Sequence, residues 1–481
     1  MILRLVSRSV SRSASRSVSR PVPWLLAPRA AVHAAGVLSL CIVTAGLSPH
    51  AFAAAPMAAV VPAAASAAAP LPAEVDLPAV LALAREASPR LQLEREAVSA
   101  AEARRITAGV LPNPRLAIGR TRPAGGSATM FDGRNQTDTS VEFPLLLAGQ
   151  RGARIEAAER FIDAARARVR LGENQLAEEA AVAFLAILAV QERMVALADA
   201  IERIGRIRDI VAARESSGLA SRYDLARVEI ERAALQARLA EQEGDRADAT
   251  GALAVLLGVP GWVPKAAGKL APFADRAFAQ GATGAGRPAP DGSPAGPAAR
   301  RAALASLHPS VVAAVRDEAA AVAVIDVARR DRIPVPSLGI GRMWTRDPYG
   351  AANFLGLSVE VPLFDTRRGP FEEARSEARS AALRRTLAEA QVNASMDRYE
   401  TVVQRRIEAL ERFDTDAAAR LPMLQVMSED AYRFGRASIL EWLDATRTHH
   451  EQRLVRVDLL SGLAEARIRL DAAQGALVSP P

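Results

Sequence analysis

The chain has one cysteine in 481 residues and an aromatic fraction of only 4%. A lone thiol excludes a disulfide framework and a multi-cysteine zinc site. Catalytic signatures are missing too: there is no His-Glu-x-x-His helix, no Walker loop and no nucleophile elbow. Gly339-x-Gly341 falls in an expected strand, without a third glycine or a following helix, so it is not a dinucleotide site. No catalytic, metal-binding or cofactor residues are assigned, and the chain is not read as an enzyme. Beyond residue 53 there is no run of about 18 uninterrupted apolar residues. The strongest, 180–190, is 11 residues long and flanked by polar and charged residues, too short to cross a bilayer as a helix.

Excess charge is scarce once the amino terminus is set aside. Residues 1–29 hold six arginines and no acid, 30–47 are apolar, and Ala51-Phe52-Ala53 is a small-x-small cleavage site. Residues 1–53 thus read as a secretory signal peptide. Its removal leaves 55 of the 61 basic residues against 54 acids, so the net charge of +7 belongs mostly to the leader. It carries no argument for a nucleic-acid partner. Cys41 leaves with the leader, because Leu40 stands where a lipid-attachment signal wants a small residue. Residues 54–75, rich in alanine and proline, read as a flexible segment.

What is present is a duplication. Val141-Glu142-Phe143-Pro144-Leu145 recurs as Val359-Glu360-Val361-Pro362-Leu363 at an offset of 218 residues, and Arg151-Gly152 recurs as Arg368-Gly369 at 217. Each time an alternating segment stops at a proline, crosses a turn and starts a long charged helix. Pro144, Gly152, Pro362 and Gly369 therefore mark two strand-to-helix seams. The first repeat covers 76–270 and the second 301–477, joined by a Gly/Pro-rich linker at 271–300.

In the first repeat Asp76 is placed to cap a helix over 77–110, stopped by Leu111-Pro112-Asn113-Pro114. Strands follow at 115–122 and 137–145, then a long helix over 153–217 that ends at Gly218. A second helix starts after Ser221 and ends near 257. In the second repeat a helix runs to 331, strands occupy 337–345 and 353–363, and a long helix over 370–434 ends at Gly435. The last helix covers 438–477. Pro422 lies inside the second long helix and is expected to kink it.

Gly152 to Gly218 and Gly369 to Gly435 are both 66 residues. Loops drift in length, whereas helices that must reach one plane cannot. At 1.5 Å per residue each long helix spans about 100 Å. The shorter helices, stacked end to end, would match it, with both glycines at a common tip. Four strands are too few for a barrel, and each pair would leave exposed edges. Their alternation and their length of about nine to eleven residues suit tilted membrane strands, with Trp344 as an interfacial aromatic. A sheet in lipid must close, since each unpaired backbone group there costs several kcal/mol, so closure takes several chains. A soluble four-stranded sheet on a helical bundle is the other reading of this pattern.

The tip Tyr432-x-Phe434-Gly435-x-x-Ser438-Ile439-Leu440-Glu441-Trp442-Leu443-Asp444-Ala445 and its looser twin Gly218-x-x-Ser221-x-x-Asp224-Leu225 carry a family likeness. With the duplicated helix–strand–strand–long helix–helix order, they resemble the TolC-type outer-membrane efflux channels over 77–477. The resemblance implies a mainly α fold with a small β part: a homotrimer whose twelve strands close an outer-membrane β-barrel, continued by a periplasmic α-helical coiled-coil tunnel. Leu111-Pro112-Asn113-Pro114 and the run over 147–159 look most like the heavy-metal (cobalt/zinc/cadmium-type) branch, whose channels serve pumps of the resistance–nodulation–division type.

So read, the chain is a passive exit duct, seated in outer-membrane lipid and partnered by a periplasmic adaptor and an inner-membrane pump. Multidrug efflux and type I secretion channels are alternatives. A periplasmic adaptor or coiled-coil scaffold is an alternative of another class, but an adaptor would carry one hairpin between β-domain halves. Glu441 and Asp444 match the family's acidic constriction positions. Three residues apart, they share a helix face, and ringed copies would attract cations. Gly218, Ser221, Asp224, Tyr432, Gly435 and Ser438 match the tip and adaptor contact, with Asp224 placed to bond Tyr432. His449 and His450 point about 100° apart on a helix and read as surface residues, and His308 as a loop histidine.

Overall fold

The computed structural model describes residues 71–122, 135–274, 297–345 and 350–477. The expected signal peptide with Cys41, residues 54–70, most of the linker and the turn after Trp344 lie outside them. In chain order the elements of the first repeat are β1 (Glu74–Val75), α1 (Leu77–Ala87), α2 (Pro89–Gly109), β2 (Arg115–Thr121) and β3 (Gln136–Pro144). Then come α3 (Gln150–Ser216), α4 (Arg222–Leu257), β4 (Lys265–Ala266) and α5 (Leu270–Ala274). The second repeat has α6 (Pro297–Leu307), α7 (Pro309–Arg330), β5 (Ser337–Thr345), β6 (Ala351–Ser358), α8 (Arg368–Phe413), a π-turn (Asp414–Ala418), α9 (Leu421–Arg433) and α10 (Ile439–Ala473).

The opening helix is two helices rather than the single one expected over 77–110. Asp76 does cap α1, its Oδ1 accepting from Ala79 N at 2.9 Å. Pro89 then takes the first turn of α2, where its missing N–H leaves no bond unmade. A residue before proline is pushed out of the helical region, and Ser88 sits at ψ 121°. His308, at ψ 134° before Pro309, splits α6 from α7 in the same way.

These joints are where short helices meet end to end. Gly258, at φ +72°, closes α4 against Pro89: a Cβ there would lie 2.5 Å from the proline Cγ and closer still to its Cδ. Gly475, at φ +68°, closes the stretch after α10 against Pro309, with 3.1 Å to its Cδ. His308 Nε2 donates to Ala472 O at 3.1 Å across the same joint. The stacked pairs α2/α4 and α7/α10 both pack along α3, and α8 packs along α7 and α10.

α3 runs unbroken for 67 residues. Ala180, Phe184, Leu185, Ile187 and Leu188 bury its middle in the main core with Leu91, Leu253, Leu257 and Leu460. Its length and hydropathy would suffice to cross a membrane, but 56% of its most apolar window is buried inside the bundle. It is apolar on more than one side because it has helical partners on more than one side.

The second long helix corrects the expectation. It does not continue over 370–434: α8 gives way to the π-turn, and α9 begins at Leu421. Pro422 therefore occupies the first turn of α9 rather than kinking a continuous helix. Its ring and missing N–H disrupt the bond to the carbonyl four residues back, so the preceding turn unwinds. Arg456 from α10 grips the π-turn, donating to the two Asp414 carboxylate oxygens at 2.7 and 3.1 Å.

The four longer strands form one antiparallel sheet in the order β2-β3-β5-β6. β5 has the expected bounds, but β6 ends at Ser358. Pro362 thus lies four residues outside the ladder, a correction to the second seam. Expected flexibility of 54–75 also fails at its end: Glu74–Val75 pairs in parallel with Lys265–Ala266, and Trp262 Nε1 donates to Pro72 O at 3.1 Å.

Candidate functional site

The two tips share one construction. Gly218 and Gly435, at φ +73° and +68°, adopt the left-handed conformation that ends a helix without a Cβ penalty. Leu219 N returns to Arg214 O at 2.7 Å, and Arg436 N returns to Ala431 O at 2.7 Å. Reciprocal capping boxes then start the next helices. Ser221 Oγ accepts from Asp224 N at 3.2 Å while Asp224 Oδ2 accepts from Ser221 N at 3.0 Å. Ser438 and Glu441 repeat this at 3.3 and 3.0 Å. The Gly-x-x-Ser-x-x-acid spacing is therefore first a folding signal, a helix stop followed by a helix start.

Asp224 does not reach Tyr432, as the sequence had led us to expect; its carboxylate serves its own helix cap. Arg214 makes the link instead. Its guanidinium donates to Tyr432 O at 3.2 Å and Arg433 O at 2.8 Å, and lies 4.6 Å from the Tyr432 ring centroid. Tyr432 in turn stacks on Trp442 with centroids 4.9 Å apart. Ile204, Val211, Val228 and Leu443 complete this apolar cluster, which joins both hairpins near their tips. Arg214 lies outside the glycine–serine motif, so only its place one turn before Gly218 could have flagged it.

Glu441 and Asp444 are both exposed on α10, while Trp442, Leu443, Ala445 and Thr446 between and beyond them are buried. The structure thus puts the acidic pair on one free face. Nearby, Leu219, Tyr223, Phe434 and Leu440 leave apolar surface uncovered.

At the other end of the helices the seams differ from expectation. Pro144 is the last residue of β3, and one further ladder bond follows, from Leu145 N to Pro336 O at 2.8 Å. The turn is made by Gly149, at φ +72°, not by Gly152, which is inside α3. A Cβ at Gly149 would overlap the Arg330 guanidinium. Its twin is Arg367, a non-glycine residue at φ +50°, whose N–H is held by Asp365 Oδ1 at 2.8 Å. Gly369 likewise lies inside α8. Both helical glycines have open space around them.

Two of the three histidines among the described residues are buried, against expectation. His308 is the cap of α7, its Nδ1 accepting from Ser310 N at 3.2 Å. His450 places Nδ1 3.2 Å from Thr446 O. Burial is the main cause that holds the pKa of both imidazoles below the usual histidine value. His449 is half-exposed, with its pKa also lowered, by desolvation first and then by Arg203 and Arg453. Among the described residues no three or more His, Cys, Asp or Glu side chains converge on a metal-sized site.

The sheet has two unlike faces. Leu116, Val141, Ile340 and Leu355 form one cross-strand row, and Phe143, Leu338 and Leu357 the next. The opposite face carries Ala117, Ser140, Gly341 and Phe354, then Arg115, Glu142, Gly339 and Gly356. Leu116, Leu355 and Leu357 are 63%, 73% and 72% exposed, so nothing among the described residues covers the apolar face.

Comparison with known proteins places this geometry. Residues 80–259 match the family model described as outer membrane efflux protein. The chain is 26% identical over 386 residues to the cobalt-zinc-cadmium resistance protein CzcC of Cupriavidus metallidurans, covering 77% of this chain and 82% of that one. It is 30% identical over 285 residues to protein CyaE of Bordetella pertussis, a match that spans only about half of that relative, 55% of each chain. Among solved structures, the channel-forming protein CusC aligns with a TM-score of 0.66 at 17% identity, over 83% of this chain and 91% of that one. Helix stacks, paired tips and a four-stranded sheet thus accompany a match to the outer membrane efflux protein family over residues 80–259, and a fold shared with CusC over 83% of the chain.

Proposed function

We propose that three copies of the chain close head to tail into a duct, the outer-membrane exit of a tripartite efflux system for metal cations. The observation that carries this is the lateral order of both layers. The sheet runs β2-β3-β5-β6, and the helices joined to those strands, α2, α3, α7 and α8, neighbour one another in the same order. Both layers consequently end on the same two sides: β2 with α2/α4, and β6 with α8. One heterologous joint can satisfy both, and such joints build rings when the rotation closes. Twelve strands would then pair every edge and present the apolar rows to lipid.

The free helix faces fit that joint. On α4, Ala226, Ile230, Ala233, Ala237 and Ala240 are exposed at alternating spacings of three and four. On α8, Leu383, Leu387, Ala390 and Ala394 do the same. Such seams are what a coiled-coil partner occupies. The tips' apolar surface fits helix-to-helix docking by a periplasmic adaptor, with the energy supplied by an inner-membrane pump. Similarity to CzcC favours cobalt-, zinc- or cadmium-like cargo, and Glu441 and Asp444, repeated about an axis, would favour cations over anions at the narrowest point.

The test is reconstitution. Protein extracted from outer membranes should sediment as a trimer and form a cation-preferring channel in a planar bilayer. Joint replacement Glu441→Ala and Asp444→Ala should raise single-channel conductance and weaken the cation preference. A protein released as a monomer without detergent would overturn the duct; unchanged conductance and selectivity would overturn the acidic constriction alone.

A further inference from the structure

Both acids of the four-stranded sheet lie on one face, and two of its three arginines lie on the other. The four strands of this sheet carry five charged residues: Arg115, Arg120, Asp138, Glu142 and Arg342. Register places Asp138 and Glu142 on the small-residue face, with Arg115 opposite Glu142. Asp138 lies flat over Gly119, where an added Cβ would meet its carboxylate oxygens at 2.5 and 2.6 Å. Arg120 and Arg342 lie on the apolar face instead, which carries no acid.

Arg120 shares a cross-strand row with Thr137, Trp344 and Ala351, and Arg342 sits in the adjoining row with Ile118, Thr139 and Asn353. Both arginines are exposed, and neither is ion-paired among the described residues. They occupy the end of the sheet away from the helices, because α2, α3, α7 and α8 all attach at the opposite strand ends. With helices in the periplasm, this end meets the outer leaflet. An unpaired guanidinium on a lipid-facing surface needs an acceptor it can reach at the headgroup level, and Trp344 marks that level.

We propose that Arg120 and Arg342, with Trp344, form a girdle that binds the phosphates of outer-leaflet lipid headgroups. The proposal rests on the barrel reading, which decides that this face meets lipid. Phosphate is the fitting acceptor: guanidinium binds it through paired, charge-assisted hydrogen bonds. Three copies would bring six arginines to one ring. The opposite face, with Asp138 and Glu142, would repel the same headgroups, which fixes the outward orientation of the strand layer.

The experiment titrates the detergent-extracted trimer with bis-phosphorylated lipid A, or with dephosphorylated lipid A, and counts bound lipid by native mass spectrometry. Wild-type protein should prefer the phosphorylated form, by about fivefold for each arginine engaged. Arg120→Gln with Arg342→Gln should abolish that preference, the paired lysine replacements should keep part of it, and Arg115→Gln on the other face should leave it intact. A conducting trimer with no preference, or a preference that survives the double glutamine variant, overturns the girdle while the barrel stands. A chain that forms no trimer overturns both.

Discussion

The end-to-end joints make a graded prediction from three glycines with the same backbone conformation and different surroundings. Gly218, Gly258 and Gly475 have φ of +73°, +72° and +68°. Each Gly→Ala replacement forces a Cβ into the left-handed region, at about 1–2 kcal/mol. At Gly218 there is nothing within 4 Å, so that strain is the whole cost. At Gly475 the Cβ is 3.1 Å from Pro309 Cδ, a contact that a small shift relieves. At Gly258 the Cβ would meet the Pro89 ring at 2.5 Å or less, and neither the ring nor the helix it starts can bend away. Overpacking of that kind adds about 1–3 kcal/mol, for a total of about 2–5.

Denaturant titration of the helical circular-dichroism signal, at fixed protein and detergent concentration, should therefore rank Gly218→Ala as mildest and Gly258→Ala as most damaging. Adding Pro89→Ala should recover at least about 1 kcal/mol at Gly258 and nothing at Gly218, the coupling expected only of residues in contact. If Gly258→Ala costs no more than Gly218→Ala, the two short helices do not press on one another, and the account of a stacked column is wrong.

Other outcomes are as definite. Burial raises Asp471 from 3.8 to about 6, so the native state holds a proton that the unfolded chain releases. Its contribution is neutral below about pH 4 and grows to a penalty of about 3 kcal/mol above pH 6. Asp471→Asn should flatten stability between pH 4 and 6 and raise it at pH 7, and an unaltered pH slope would refute the assignment. Arg214→Met removes two donors and the cation over Tyr432, so amide exchange around 430–436 should accelerate by roughly tenfold or more. Equal exchange in both proteins would show that the tips hold together without it.

Local chemistry with short range was legible in the sequence. Gly218 and Gly435 were readable as helix stops, and Asp76 as a helix start, because those roles depend on three or four neighbouring residues. β5 was readable because its alternation and its flanking prolines agree. The break before Pro422 was not, since Asp-Thr-Asp-Ala-Ala-Ala-Arg has ordinary helical residues and the damage from a proline falls on the turn before it. Nor was the end of β6: Val359, Val361 and Leu363 continue the alternation, but their would-be partner across the ladder, beyond Ser337, is a proline pair. The burial of His308 and His450 comes from partners on distant helices, which one chain's periodicity does not encode. Arg367 shows the converse, a left-handed turn residue that no glycine announces.

The matched ends of sheet and helices have a consequence for how faulty copies behave. A lone wedge has one leading and one trailing side, and so does any incomplete arc built from it. Adding a second copy buries one joint but leaves just as much raw edge, so in the proposed ring only the last step removes the exposure. A copy damaged along β2 keeps a sound β6 and can still be recruited, yet the arc that accepts it can never shut. With equal numbers of sound and damaged copies, only about one ring in eight would be whole. Loss on one side of this wedge should therefore poison its unmutated siblings, whereas loss of the whole chain merely lowers their number.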